Sequence, residues 1–137
     1  MGKMKPSKSR LILINYMVIL ITLFLVSGCS DDGSKAPDVV VEYYKALINK
    51  DYPRLISNSC ATWETQAKTD YDSFAAVEAR LESLSCQVAK KEEDALIVSC
   101  AGRIVANYGN EVLEIDLSKQ NYRVIKESGD WRMCGYQ

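Results

Sequence analysis

Apolar and polar residues alternate along this chain in two rhythms, preceded by a segment with none. Lys3, Lys5, Lys8 and Arg10 are followed by Leu11 to Val26, 16 residues without a charge. A polar stretch, Ser30 to Ala36, separates that run from the first periodic segment. Val40, Tyr43, Tyr44, Leu47 and Ile48 then recur at helical spacing, while Glu42, Lys45 and Asn49 fall on the opposite side. The pattern predicts an amphipathic helix opened by Pro37 and Asp38, a proline and an acid suited to a first turn, and ending near Lys50. Asp51 predicts the cap of a second, shorter helix that turns Leu55 and Ile56 inward and ends around Ser59-Cys60. Phe74, Val77 and Leu81 predict a third helix over Tyr71 to Leu81, with polar Glu64 to Asp70 before it as a loop or frayed turn.

From Leu84 the period changes to two. Leu84, Cys86 and Val88 alternate with Ser85 and Gln87, and after the charged turn Lys91-Glu92-Glu93-Asp94 a second run carries Leu96, Val98, Cys100, Ile104 and Tyr108 on one parity. Gly109-Asn110 reads as a tight turn into Val112 to Leu117. Tyr122 to Lys126 follows, and after Ser128-Gly129-Asp130 a last strand runs from Trp131 to Tyr136. Helices first and strands afterwards, joined by short turns, specify an α+β domain with an antiparallel sheet.

The N-terminal segment has the order of an export signal, basic and then apolar. Its apolar run is shorter than the ~20 residues of a spanning helix and is interrupted by Asn15 and Tyr16, so a cleaved signal fits better than a permanent span. Leu25-Val26-Ser27-Gly28-Cys29 resembles the lipobox of bacterial lipoproteins, in which the cysteine is diacylated and becomes the first mature residue. The resemblance implies a signal peptide over 1–28, a lipidated tether over 29–36 and a folded domain over 37–137. Cys29 is the expected lipidation site, with a palmitate-type acyl group as the membrane contact and the domain outside the cytoplasm. Ser30 after the cysteine leans toward an outer membrane if the host has two.

Removing residues 1–28 leaves 13 basic against 18 acidic side chains, a formal charge of −5 over 109 residues. That balance offers no footprint for nucleic acid. Export also changes how the cysteines read. Cys60, Cys86, Cys100 and Cys134 are an even set in a small exported domain, which reads as a disulfide framework. There is no Cys-x-x-Cys and no histidine, so no metal site is expected. If the first hairpin pairs so that residue numbers sum to 186, Val88 faces Val98 and Cys86 faces Cys100, close enough in a non-hydrogen-bonded pair for a disulfide. Cys60 then joins Cys134, bolting the second helix to the last strand. Two other connectivities stay open on sequence alone.

Val39-Val40-Val41-Glu42-Tyr43-Tyr44-Lys45-Ala46-Leu47, continuing to Asp51, resembles the first helix of NTF2-like domains. Gly129-Asp130-Trp131-Arg132-Met133-Cys134-Gly135-Tyr136 resembles the last strand of small bacterial NTF2-like lipoproteins. The resemblance runs from about Pro37 to Tyr136 and implies a cystatin-like α+β cone, a curved antiparallel sheet wrapped around helices with an apolar cavity at the open end. Members of this fold include isomerases, dehydratases, ligand binders and assembly modules, so fold does not choose among them.

No residue here aligns with the carboxylate base or the oxyanion donors of the ketosteroid-isomerase-like members. The commonest general base is missing with histidine, and no phosphate loop, serine elbow or metal signature is present. The expectation is a non-catalytic module, without cofactor, that binds a small apolar ligand or an envelope protein partner. An isomerase or hydrolyase using a cavity carboxylate is the alternative, and a structural or assembly role the third. For a ligand the candidate contacts are Tyr44, Trp63 and Tyr108, set against the blander reading that such aromatics fill a core.

Overall fold

The computed structural model describes Gly2 and residues 33–137, and Asp32–Gln137 forms one compact unit. The expected signal segment and Cys29 lie outside the described residues. Three helices come first, α1 (Ala36–Ile48), α2 (Tyr52–Ser57) and α3 (Glu64–Phe74). Five strands follow: β1 (Glu78–Lys91), β2 (Leu96–Asn107), β3 (Val112–Asp116), β4 (Asn121–Glu127) and β5 (Asp130–Tyr136), with a 3₁₀ turn at Leu117–Lys119 between β3 and β4. The α+β order is as expected. No helix among the described residues is long and apolar enough to cross a membrane.

Helix α1 begins with Pro37 and Asp38 in its first turn and buries Val40, Tyr43, Tyr44 and Leu47. It ends where Lys50 takes a left-handed backbone (φ 59°) and the amides of Lys50 and Asp51 return to the carbonyls of Leu47 (3.2 Å) and Ala46 (2.9 Å). That is the paired closure usual at helix C-termini, here with lysine where glycine is common. Asp51 then caps α2, its carboxylate accepting from the Arg54 amide at 3.1 Å.

Two expectations are corrected. The third helix runs over Glu64–Phe74 instead of Tyr71 to Leu81, and Glu78 already opens β1. Val77, Ala79 and Leu81 continue at period two, whereas α3 is polar nearly all round and fully buries only Ala67, so its period is faint. The folded domain also starts before Pro37. Gly33 is buried against Leu96 and Trp131, and Ala36 is fully buried, so the packed domain includes both.

The sheet is antiparallel, ordered β1-β2-β4-β5, with β3 also on β2. One edge of β2 carries all of β1, while the other is shared by β4, against Leu96 to Ser99, and β3, against Arg103 to Asn107. Curvature comes from irregularities in β1 between Glu82 and Ser85 and between Val88 and Lys90. Opposite the first stands Gly102, at φ 106°, where a Cβ would lie 2.7 Å from the carbonyl oxygens of Glu82 and Ser83. Only glycine fits so close an approach.

The core lies between α1 and the concave face of the sheet, where Val40, Tyr43 and Leu55 meet Val98, Ile104, Tyr122 and Met133. Full burial of such side chains contributes roughly 1.5–3 kcal/mol each. Residues 58–60 lie along β5: Met133 donates to the Asn58 carbonyl at 2.8 Å and Cys60 to the Met133 carbonyl at 2.9 Å. This places Cys60 and Cys134 with Cα atoms 5.2 Å apart, disulfide-bonded across 74 residues. Cys86 faces Cys100 in the hairpin, also bonded, at a Cα separation of 4.1 Å.

Candidate functional site

The densest polar chemistry inside the domain is one carboxylate held by side chains from three elements. Tyr43 projects from α1 and Tyr136 from the end of β5, and both hydroxyls donate to the same oxygen of Asp70 on α3, at 2.7 and 2.5 Å. Gln66, one turn earlier on α3, donates to the other Asp70 oxygen at 2.9 Å. Trp63, just before α3, packs edge-to-face on Tyr136 with ring centroids 4.9 Å apart, and its Nε1–H is buried beside the Tyr43 hydroxyl. Tyr122 links this group to a second, meeting Tyr136 at 6.0 Å and Tyr44 at 5.7 Å in T-shaped contacts, while its hydroxyl donates to the Leu117 carbonyl at 3.0 Å. Tyr44 and Tyr43 close the chain of rings at 5.6 Å.

Burial raises the pKa of Tyr43, Tyr44, Tyr122 and Tyr136 above the ordinary phenol value. The Asp70 charge adds to the rise at Tyr43 and Tyr136. All four phenols are neutral donors near neutral pH and none is an activated base. Both hydroxyls beside Asp70 are spent on the carboxylate, so they are not free to meet charge developing on a bound substrate. As it stands, the cluster ties α1, α3 and β5 together.

The three expected ligand contacts are not brought to one place. Tyr44 is buried in the ring cluster and Trp63 sits half-buried at its edge, but Tyr108 is 49% exposed on the β2–β3 turn. Sequence reasoning passed over Asp70 and Gln66 because it took Glu64 to Asp70 for a loop. The signal was present in their spacing of four, which on a helix makes them neighbours.

Clefts among the described residues lie elsewhere. One of about 480 Å³ is lined by Glu82, Arg103, Glu114 and Asp116 beside Gly102. In it Arg103 bridges Glu82 (2.8 Å) and Glu114 (3.6 Å). Hydrogen bonds from Arg103 and Arg80 hold Glu82 below the usual carboxylate range, and Ser118 does the same for Asp116. A second, of about 380 Å³, lies between Lys91–Leu96 and the pair Lys126 and Trp131. A third, about 270 Å³, flanks the Cys86–Cys100 bond. Among the described residues no group of three or more histidine, cysteine or acidic side chains is placed to hold a metal ion.

Helices followed by a curved antiparallel sheet give this chain a small α+β architecture, similar to that of NTF2-like and cystatin-like proteins. Solved structures similar to it include an NTF2-like protein of unknown function from Pseudomonas putida, 9% identical over 72% of this chain and 79% of its own, with a TM-score of 0.47. A protein of unknown function with a cystatin-like fold from Nostoc punctiforme is 10% identical over 73% of this chain and 84% of its own, at 0.44. A SEC-C motif containing protein from Rhodopseudomonas palustris is 12% identical over 72% and 74%, at 0.48. No family model matches the sequence, and no curated protein matches it. Likeness at these identities lends the chain no activity.

Proposed function

We propose that this chain is an extracytoplasmic lipoprotein, anchored through an acyl group on Cys29, whose NTF2-like module is non-catalytic and serves to bind a protein partner at the cell envelope. The observation that carries the choice of a protein over a small ligand is the filled interior. Tyr43 and Tyr122 are fully buried and Tyr44 nearly so, and their rings occupy the space between α1 and the sheet where the cone would hold an apolar guest. The anchor rests on the basic-apolar-lipobox order of the first 29 residues. Two disulfides suit an oxidising compartment.

Native mass spectrometry of the protein purified from membranes tests the reading. The expected result is an acylated chain beginning at Cys29, both disulfides intact, and no retained small molecule. A stoichiometric organic ligand, or an unmodified N-terminus at Met1, would overturn it.

A second reading attaches to Asp70, a carboxylate between two tyrosine hydroxyls, which is the kind of group a ketosteroid-isomerase-like reaction uses. It requires Tyr43 or Tyr136 to leave Asp70 and turn to a substrate. Proton exchange on a 3-oxo steroid or a similar enolisable ketone, lost in Asp70→Asn with the fold retained, would establish it.

A further inference from the structure

We infer that strand β3 and its turn form a docking edge for an extended, basic segment of the partner protein, which adds to the sheet beside β3. This rests on the protein-binding reading above and names the site and the chemistry of its occupant.

Three observations single out β3. Its outer side pairs with no strand, since among the described residues β3 bonds only to β2. The Tyr108 amide donates to the Glu111 carbonyl at 2.8 Å, and the register of the hairpin is unbroken. Alternation of an antiparallel ladder therefore directs the backbone groups of Leu113 and Ile115 to β2 and leaves those of Val112, Glu114 and Asp116 facing outward. The second observation is apolar exposure concentrated here: Val112 is 66% and Leu113 48% exposed, next to Tyr108. By parity Tyr108 and Leu113 share the concave face as diagonal neighbours.

The third observation is charge. From Tyr108 to Ser118 there are three acids, Glu111, Glu114 and Asp116, and no base. The cleft of about 480 Å³ adjoins β3 and is walled by Glu82, Glu114 and Asp116 against Arg103 and Lys119, which leaves one negative charge in excess. A lysine or arginine on an added strand meets that cleft while apolar neighbours cover Leu113 and Tyr108, which is recognition by strand addition. A second copy of this chain does not fit, because antiparallel pairing about Glu114 sets carboxylates directly against carboxylates.

The other open edge lacks these properties. β1 is broken by two irregularities and is rimmed by Arg80, Glu82, Lys90 and Lys91, features that blunt an edge against pairing. On the far side, β5 is already covered by residues 58–60.

The test is photo-crosslinking in the full-length chain in cells, with benzoylphenylalanine placed in turn at Val112, Glu114 and, as a control, Tyr52, an exposed aromatic on α2. Expected are crosslinks from positions 112 and 114, at least tenfold above position 52, into a segment of one envelope protein. Sequencing of the crosslinked peptide should give alternating apolar residues with lysine or arginine. With the crosslinker at Val112, Glu114→Lys with Asp116→Lys should cut the yield at least tenfold while leaving the thermal midpoint within a few degrees. A crosslink to a second copy or to lipid, an acidic segment, equal yields at all three positions, an unchanged yield on charge reversal, or no crosslink overturns the inference. Acylation measured in the same preparation keeps the two claims apart: an acylated chain without crosslinks removes the docking edge alone, and crosslinks from an unacylated chain remove the anchor alone.

Discussion

The Asp70 cluster and the β2–β3 hairpin treat the same kinds of residue in opposite ways. At the cluster, tyrosines from distant segments are buried and their hydroxyls end on one carboxylate. At the hairpin, Tyr108 stands in water beside Val112 and Leu113, and the backbone next to them has no partner strand. Satisfied polar groups and hidden apolar area are what a fold needs. Backbone groups left to water and apolar area left exposed add little to stability, and on the docking proposal they are where a partner adds its strand. The contrast separates a part of the molecule that holds it together from a part that contributes little to its stability.

The largest effect should come from the clasped side. Cys60→Ala with Cys134→Ala opens a loop of 74 residues, for which chain entropy gives a loss of roughly 4 kcal/mol. The Cys86–Cys100 pair spans only 14 and should cost roughly 3. Urea midpoints decide the order, and the reverse ranking would show that the 60–134 bond does not fasten the fold.

Asp70→Ala leaves the hydroxyls of Tyr43 and Tyr136 without their acceptor and should cost about 2–3 kcal/mol, whereas Tyr136→Phe, which removes one donor and keeps the ring, should cost about 1. Equal and negligible losses from both would make the cluster incidental to stability.

Alkali should attack the same region. Tyr43, Tyr44, Tyr122 and Tyr136 keep their protons in the folded state above the ordinary value of 10.0. Unfolded tyrosines release theirs near pH 10, so this stabilisation is complete below pH 10 and is lost as pH rises above it. The slope is about 1.4 kcal/mol per pH unit for each buried phenol. Denaturant midpoints between pH 9 and 12 should fall, and less steeply in Tyr136→Phe. A tyrosinate absorbance rise at pH 10 in the folded protein that shrinks in Tyr136→Phe would sink this prediction.

The smallest effect belongs to the hairpin. Val112→Thr, at a side chain already two-thirds exposed, should move stability by no more than about 0.5 kcal/mol. A loss above about 2 kcal/mol would mean that the hairpin is part of the fold's support and would erase the contrast.

What could be read from the sequence follows from the range of each signal. α1 and the Cys86/Cys100 register were legible because their determinants are local: a buried face at helical spacing, and two strands joined by a four-residue charged turn. α3 was misplaced because Phe74, Val77 and Leu81 satisfy helical spacing while Val77, Ala79 and Leu81 equally satisfy a strand. Its true extent, Glu64–Phe74, has little apolar periodicity because the face it turns inward is partly polar. Asp70 has partners 27 and 66 residues away, and a bond of that kind leaves no mark on either local pattern. The free edge of β3 was hidden for a similar reason, since sequence shows that a strand exists but not how many neighbours it has. Tyr44, Trp63 and Tyr108 looked alike as aromatics, and only tertiary packing separates the two that belong to the interior from the one that does not.

The seat of Gly33 against Leu96 and Trp131 has a consequence for height. With a lipid on Cys29, only three residues separate the acylated position from Gly33, and four virtual bonds reach at most about 14 Å. On the proposed anchor such a leash would enter at the Leu96 end of β2, and the Tyr108 turn lies at the opposite end of that strand, about 35 Å along it at ~3.3 Å per residue. The proposed anchor and the proposed docking strand would then act at opposite ends of β2, and a lipid would confine the search for a partner to two dimensions.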